Sequence, residues 1–188
     1  MAEEQKERET PSRARSVEKI ENALFELLLT RKYSDISVIE ICAAAGVARK
    51  TFYRNYESKT QVVERKADKV FAEFSKRFGA DTVDSRSIYL YLYEFVMTDK
   101  TLAAALTDNE VCEILVGKII EYFEIVLETT YHNSVSFDPM LSEYYMRFFA
   151  VGLESLIRSW IKGGCKTPPK TMAALTERLM YGVMHMTS

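Results

Sequence analysis

The stretch Ser37-Val-Ile-Glu-Ile-Cys-Ala-Ala-Ala-Gly46 leaves its chain little choice of structure. A serine followed three residues later by a glutamate is a capping box, in which the serine oxygen and the glutamate carboxylate each take a free backbone N–H at a helix start. Ile36 and Ile41 stand at the staple positions of the same start. Val38, Ile41, Cys42 and Ala45 fall on one face. Gly46 ends the helix after roughly two turns, since glycine enters the left-handed conformation without a Cβ clash. A helix so short is not stable alone and must be held by neighbours.

Those neighbours are legible on both sides. From Ser16, positions Val17, Ile20, Leu24, Leu27 and Leu28 recur at three- and four-residue spacing, which predicts an amphipathic helix running out near Tyr33. Beyond Gly46 a third helix begins at once. At 100° per residue Phe52 and Tyr56 share one side with Val47 leading in, Lys50, Thr51 and Arg54 point away, and Arg49 and Tyr53 flank the two faces. Two short helices on a tight turn, braced by a first, make a helix-turn-helix. Phe52 and Tyr56 are predicted core. Arg49, Lys50 and Arg54 suit base edges and phosphates, and the Tyr53 hydroxyl can reach a phosphate.

Ser58-Lys-Thr-Gln61 offers a second capping box and puts Lys59 in the first turn of a fourth helix. A cation there opposes the macrodipole by roughly a few tenths of a kcal/mol, so a phosphate at the same place would satisfy both. The fourth helix sets Val63, Ala67, Val70, Phe71, Phe74 and Phe78 on one face before Gly79. At 1.5 Å per residue it spans roughly 30 Å, long enough to link two bodies.

An amphipathic helix, then SVIEICAAAGVARKTFYRNYESK, then a long helix resembles the tetracycline-repressor (TetR) family of bacterial transcription regulators over residues 15–75 or so. GVARKTFYRNYESK is the specific piece, similar to that family's G-V-S-x-x-T-[FL]-Y-x-[HY]-F-x-[SN]-K pattern. The resemblance implies a two-fold dimer on double-stranded operator DNA, one third helix per major groove, with the remaining helices forming a ligand-binding and dimerisation domain. Carried over, it implies that Arg49, Lys50, Thr51 and Tyr53 face the groove and that Ser37, Tyr53, Asn55 and Lys59 hold phosphates. Three positions depart from the pattern. Ala48 replaces a serine or threonine cap worth up to ~1 kcal/mol, Asn55 replaces a histidine or tyrosine, and Thr60 replaces an acidic residue.

Charge agrees with a basic head. The 188-residue chain sums to -2, but residues 1–80 balance to +3 and residues 81–188 to -5, so a polyanion should meet the first part. Seven Gly and four Pro, with 47% hydrophobic residues, favour an all-helical protein with a real core. The expected organisation is all-α: a mobile arm over 1–14, a three-helix helix-turn-helix domain over 15–60, and over 61–188 the linking helix with a dimerisation and effector domain. MAEEQKERETPSRAR has no apolar core of a signal peptide and no run reaches the ~18–20 apolar residues of a spanning helix, so a cytoplasmic protein without a membrane is expected. Cys42, Cys112 and Cys165 are scattered without a CxxC pair and read as small buried hydrophobes. His132 and His185 stand alone, so no metal is expected. HExxH, GxSxG, P-loop and GxGxxG patterns are absent from the sequence, so neither an enzyme nor a cofactor is implied.

Beyond residue 80, SIYLYLYEFVM fits a buried strand or a buried helix, and its helical neighbours with the resemblance decide for helix. Asp99 should cap DKTLAAALT. NEVCEILVGKIIEYFEIVLETTY should follow as a long helix with Leu115, Ile119, Tyr122, Phe123 and Val126 inward. Asp138-Pro139 opens a helix that runs to Gly163-Gly164, and Thr167-Pro168 opens the last. Those two helices are apolar over more than one stripe, too much for a small monomer to hide. In the family such a pair packs on its mate as a four-helix bundle, which makes Phe148, Phe149, Gly152, Leu156, Trp160, Leu179, Met180 and Val183 candidate dimer contacts. Tyr89, Tyr91, Tyr93, Phe95, Tyr122, Tyr144, Tyr145 and Trp160 are an aromatic supply for an effector pocket between helices. RFFAVGLESLIRSWIKGG is also similar to a TetR subgroup that includes a regulator of dihydroxyacetone kinase. The effector is expected to be a small molecule or a protein, and that similarity raises the alternative in which it is a partner protein and the chain is a co-activator.

Overall fold

The structure, a computed structural model, describes residues 11–78, 85–131 and 139–184. Its helices are α1 (Pro11–Leu27), α2 (Val38–Ala45), α3 (Arg49–Asn55), α4 (Lys59–Phe78), α5 (Ser85–Thr98), α6 (Lys100–Ala105), α7 (Asn109–Tyr131), α8 (Pro139–Lys162) and α9 (Pro169–Met184), with a 3-10 turn at Tyr33–Asp35. The fold is all-α, as expected, and no strand occurs among the described residues. Nor is any helix among them long and apolar enough to cross a membrane.

The head forms for the reasons its sequence gives. Val17, Ile20, Leu24 and Leu28 of the first amphipathic stretch are buried, as are Ile36 and Ile41 at the staple. Ser37 accepts from the Glu40 amide while Glu40 accepts from the Ser37 amide, so the capping box is closed. Gly46 has φ 62° and ψ 39°, the left-handed geometry that turns the chain from α2 to α3. At α1 the structure differs from expectation. The described part of the chain opens on α1 at Pro11, and proline is tolerated in the first turn of a helix, so residues 11–14 are helix rather than arm. Residues 1–10 lie outside the described part.

The predicted division at residue 61 cuts through a shared element. Val62 and Val63 of α4 have no exposed surface and belong to a core that includes residues of the head and of the later helices. Further along α4, Phe71 stacks on Tyr122 of α7 at 4.8 Å. In the body α5 packs along α9, and α7 lies against both α4 and α8. SIYLYLYEFVM is helical, with Tyr89, Tyr93 and Val96 buried at helical spacing. Asp99 caps α6 by accepting from the amides of Thr101 and Leu102. Cys42 and Cys112 are buried as expected, whereas Cys165 is only half-buried. It follows Gly164 in the turn after α8, where its own φ is 53° and its amide closes onto the Trp160 carbonyl. Gly79, His132, Asp138 and His185, like the side chains of Phe74, Phe78, Ile119, Phe123 and Val126, lie outside what is described.

Candidate nucleic-acid interface

The seven residues of α3 sort cleanly by face. Phe52 is fully buried and its ring meets Tyr56 at 5.8 Å, Tyr56 being the residue that closes the helix. Opposite them Arg49, Lys50, Tyr53 and Arg54 are exposed, and Thr51 is half-exposed. Arg49 leans over the Tyr53 ring at 6.0 Å, a cation–π approach that keeps a guanidinium and a phenol side by side. The N-cap Ala48 makes no side-chain cap bond, so no N-cap side chain takes up the free amides of the first turn of α3.

A buried carboxylate fixes the other end of α3. Glu21 of α1, 5% exposed, accepts from the Tyr56 hydroxyl at 2.9 Å and from Lys69 of α4 at 2.7 and 2.8 Å. Burial first, and then the Glu21 charge, push the Tyr56 phenol well above its ordinary range, so it stays a donor. One carboxyl thus ties α1, the end of α3 and the middle of α4. An unpaired charge there would be costly, and its two partners are what make the burial tolerable.

Two predicted phosphate ligands have different work. Asn55 is 3% exposed. Its amide donates to the Thr51 carbonyl at 2.7 Å and its oxygen accepts from Arg13 of α1 at 3.1 Å, so it braces two helices and does not face solvent. Lys59 folds back over the Tyr33 ring at 4.1 Å and donates to the carbonyls of Tyr33 at 2.6 Å and Ile36 at 2.9 Å. Its ammonium is consumed in closing the 3-10 turn, which removes the misfit with the α4 dipole without any phosphate. The second capping box is also re-partnered. Ser58 takes the Gln61 amide, while the Gln61 side chain accepts from Glu57 instead of Ser58. Ser37 is exposed, but its hydroxyl donates to Glu40 at 2.7 Å.

Sequence reasoning missed the α1 side of this face. Ser12, Arg15, Ser16 and Lys19 line a groove whose other wall is Gly46, Val47, Ala48 and Thr51 at the start of α3. Arg15 and Lys19 are four residues apart and both exposed. The signal is present in that spacing, but Ser12 and Arg15 lie ahead of Ser16, where the apolar periodicity of the first helix begins.

In the body the predicted aromatic supply divides. Tyr93 donates or accepts a bond to Thr176 at 2.8 Å and meets Trp160 edge-on at 5.1 Å, while the Trp160 indole donates to the Thr167 carbonyl at 2.7 Å. Tyr89 is buried, Tyr91 stacks on Phe95 at 5.9 Å, and Tyr122 lies on Phe71. Tyr144 is 63% exposed, and the Tyr145 side chain is outside the described part. Among the described residues, Tyr93 with Trp160, Tyr91 with Phe95 and Tyr122 with Phe71 thus form three ring pairs. The predicted dimer set splits as well. Phe149 and Trp160 are intrasubunit core, and Gly152 and Leu156 are half-buried. Phe148 and Leu179 are exposed together with Tyr144, Val151 and Leu175, which the sequence reading had not chosen as contacts. The side chains of Met180 and Val183 are not described.

A short helix with a basic, aromatic outer face, carried on a capped two-helix turn and braced by a third helix, defines a helix-turn-helix head. Residues 20–65 match the family model of bacterial regulatory proteins, tetR family, and residues 84–182 match that of a transcriptional regulator C-terminal region. The chain belongs to the TetR family of transcriptional regulators. No curated protein matches it. Among solved structures it is similar to Lin0861 from Listeria innocua, with TM-score 0.68 and 18% identity over 88% of this chain and 91% of that one. It is also similar to Thermus thermophilus FadR, a repressor solved in complex with lauroyl-CoA, with TM-score 0.60 and 19% identity over 88% and 93%. A third is the dihydroxyacetone kinase operon activator DhaS, with TM-score 0.54 and 14% identity over 89% and 94%.

Proposed function

We propose that the protein binds palindromic operator DNA as a homodimer and changes its grip when an effector binds the body. One observation carries this. On α3 the face that is not locked into the core is the one that bears Arg49, Lys50, Tyr53 and Arg54. Arg49 and Lys50 are the base readers, with arginine and lysine favouring guanine edges, and Thr51 borders them. Tyr53, Arg54 and Ser37 contact phosphates, joined by Arg15 and Lys19 from the α1 groove. Asn55 and Lys59 act from behind, by holding α3 and the preceding turn in place.

The mate is a second copy of the chain. Tyr144, Phe148 and Val151 make one exposed apolar stripe on α8, and Leu175 and Leu179 continue it on α9. Paired stripes of this kind bury each other in a four-helix arrangement and set the two α3 helices about one DNA turn, or a multiple, apart. Likeness to a fold that holds lauroyl-CoA in Thermus FadR supports a small-molecule effector. The likeness to an operon activator keeps a partner protein as the second reading.

Selection of bound sequences from a random duplex pool at ~150 mM salt tests the proposal, since non-specific phosphate contacts are already weakened there. An enriched palindrome is the expected result. No enrichment by a folded, dimeric protein would replace it with the co-activator reading.

A further inference from the structure

Beneath the head, at the turn between α6 and α7, a single side chain holds both bodies. Asp108 Oδ1 accepts from the amides of Glu110 at 3.0 Å and Val111 at 3.3 Å, which caps α7. Its second oxygen, Oδ2, accepts from the Tyr33 amide at 2.9 Å, seventy-five residues away in sequence. Tyr33 opens the 3-10 turn that precedes α2. It is 3% exposed, its carbonyl accepts from Lys59, and its hydroxyl bonds Thr60 at 3.0 Å. Lys59 also holds the carbonyl of Ile36, the residue just ahead of the α2 cap.

The path continues into the body. Asn109 accepts from Arg158 of α8 at 2.5 Å, and Arg158 is itself held by Glu154, 8% exposed, at 2.6 Å. Arg158 lies on the helix that carries Phe148 and Val151. From α8 to the cap of α2 there is thus a run of hydrogen bonds, linked through the backbone at Asp108-Asn109 and Ile36-Ser37, that does not use the length of α4.

We infer that Asp108 is a positioning residue for the reading head, coupling the first turn of α7 to the start of α2 and of α4. The inference rests on the proposed DNA reading. Its physical basis is that the two carboxylate oxygens serve different bodies. A hydrogen bond weakens steeply beyond ordinary length or alignment, so a small shift of the α6–α7 turn cannot keep both the α7 cap and the Tyr33 bond. Binding free energies are reciprocal between coupled sites, so DNA held by the head must in turn steady this turn.

Hydrogen exchange on the full-length dimer, with and without a saturating duplex recovered from the pool, reads this directly. In the wild-type protein the amides of Glu110 and Val111 should slow by roughly fivefold or more when DNA binds, the lower range of ordinary coupling. Asp108→Asn keeps a good N-cap through its remaining oxygen but puts an NH2 where Oδ2 accepted from Tyr33. It should stay folded and dimeric while those amides cease to respond to DNA. Lys59→Met cuts the same path from the far end without touching α7, and should abolish the response too; it decides the matter if Asp108→Asn does not fold. Amides that do not slow in the wild type with duplex bound, or that slow equally in the folded variants, overturn the inference and leave DNA binding intact. A wild-type protein that retains no duplex overturns both.

Discussion

The head and the body of this molecule are held by different kinds of contact. In the head, α2 and α3 are eight and seven residues long and cannot bury much apolar surface each. They are fixed instead by directional ties: Glu21 to Tyr56 and Lys69, Asn55 to Thr51 and Arg13, Lys59 to two backbone carbonyls, and Ser37 with Glu40. In the body, helices of up to 24 residues lie along one another and bury rings such as Trp160 against Tyr93. Directional bonds set position as well as stability, which the proposed reading role of α3 would require. Apolar packing gives stability with more latitude in position, which would suit the proposed effector response of the body.

The largest expected effect lies in the body. Trp160→Ala removes a 6%-exposed indole, its edge contact with Tyr93 and its bond to the Thr167 carbonyl, and should cost about 3–5 kcal/mol in denaturant unfolding. Tyr56→Phe deletes one hydroxyl in the head and should cost roughly 1.5–3 kcal/mol, the range for a hydrogen bond to a charged group. It should also weaken operator binding, because Glu21 then no longer fixes the end of α3. The contrast breaks down if Trp160→Ala changes operator affinity more than Tyr56→Phe does at matched fractions of folded dimer.

How far this division was legible beforehand follows from its chemistry. The capping box, Gly46, the faces of α3 and the Asp99 cap are local features, each determined by residues within one or two turns, and the sequence shows them directly. Ties such as Glu21 to Lys69 or Asp108 to Tyr33 join residues far apart in sequence, and spacing carries no trace of them. The partners of Asn55 and Lys59 within the chain are hidden for that reason: a polar side chain in such a motif looks exposed until the helix it braces is in place. In the body, Phe148 and Phe149 are chemically identical neighbours on α8. Only the packing of α8 against its neighbouring helices decides that one is 61% exposed and the other 5%.

A smaller and more selective effect should come from the exposed stripe. Phe148→Ser removes apolar surface that the single chain does not bury, so it should leave the fold of each subunit intact and shift the protein from dimer towards monomer in analytical ultracentrifugation. Phe149→Ser, one position on, should instead destabilise the subunit, since it places a hydroxyl in the core. If the two substitutions behave alike, α8 does not divide its faces between mate and core in this way.

The smallest expected effect isolates a single directional tie. Hydrogen bonds from Ser37, and then from Arg31, hold the Glu40 carboxyl down at about 2 from an ordinary 4.5. A carboxyl depressed in the folded state contributes stability that is complete above the unfolded value and is lost as pH falls through the folded one. The capping box should therefore strengthen the head above about pH 4.5 and fade towards about pH 2. Glu40→Gln keeps a side chain able to close the box but removes the charge, so the difference between wild type and variant reports the charged part alone. The wild type should melt slightly higher near neutral pH, and the two melting temperatures should converge in acid. A difference that stays constant across that range would assign the advantage of Glu40 to shape, and the head would then owe less to its charged ties than the contrast with the body implies.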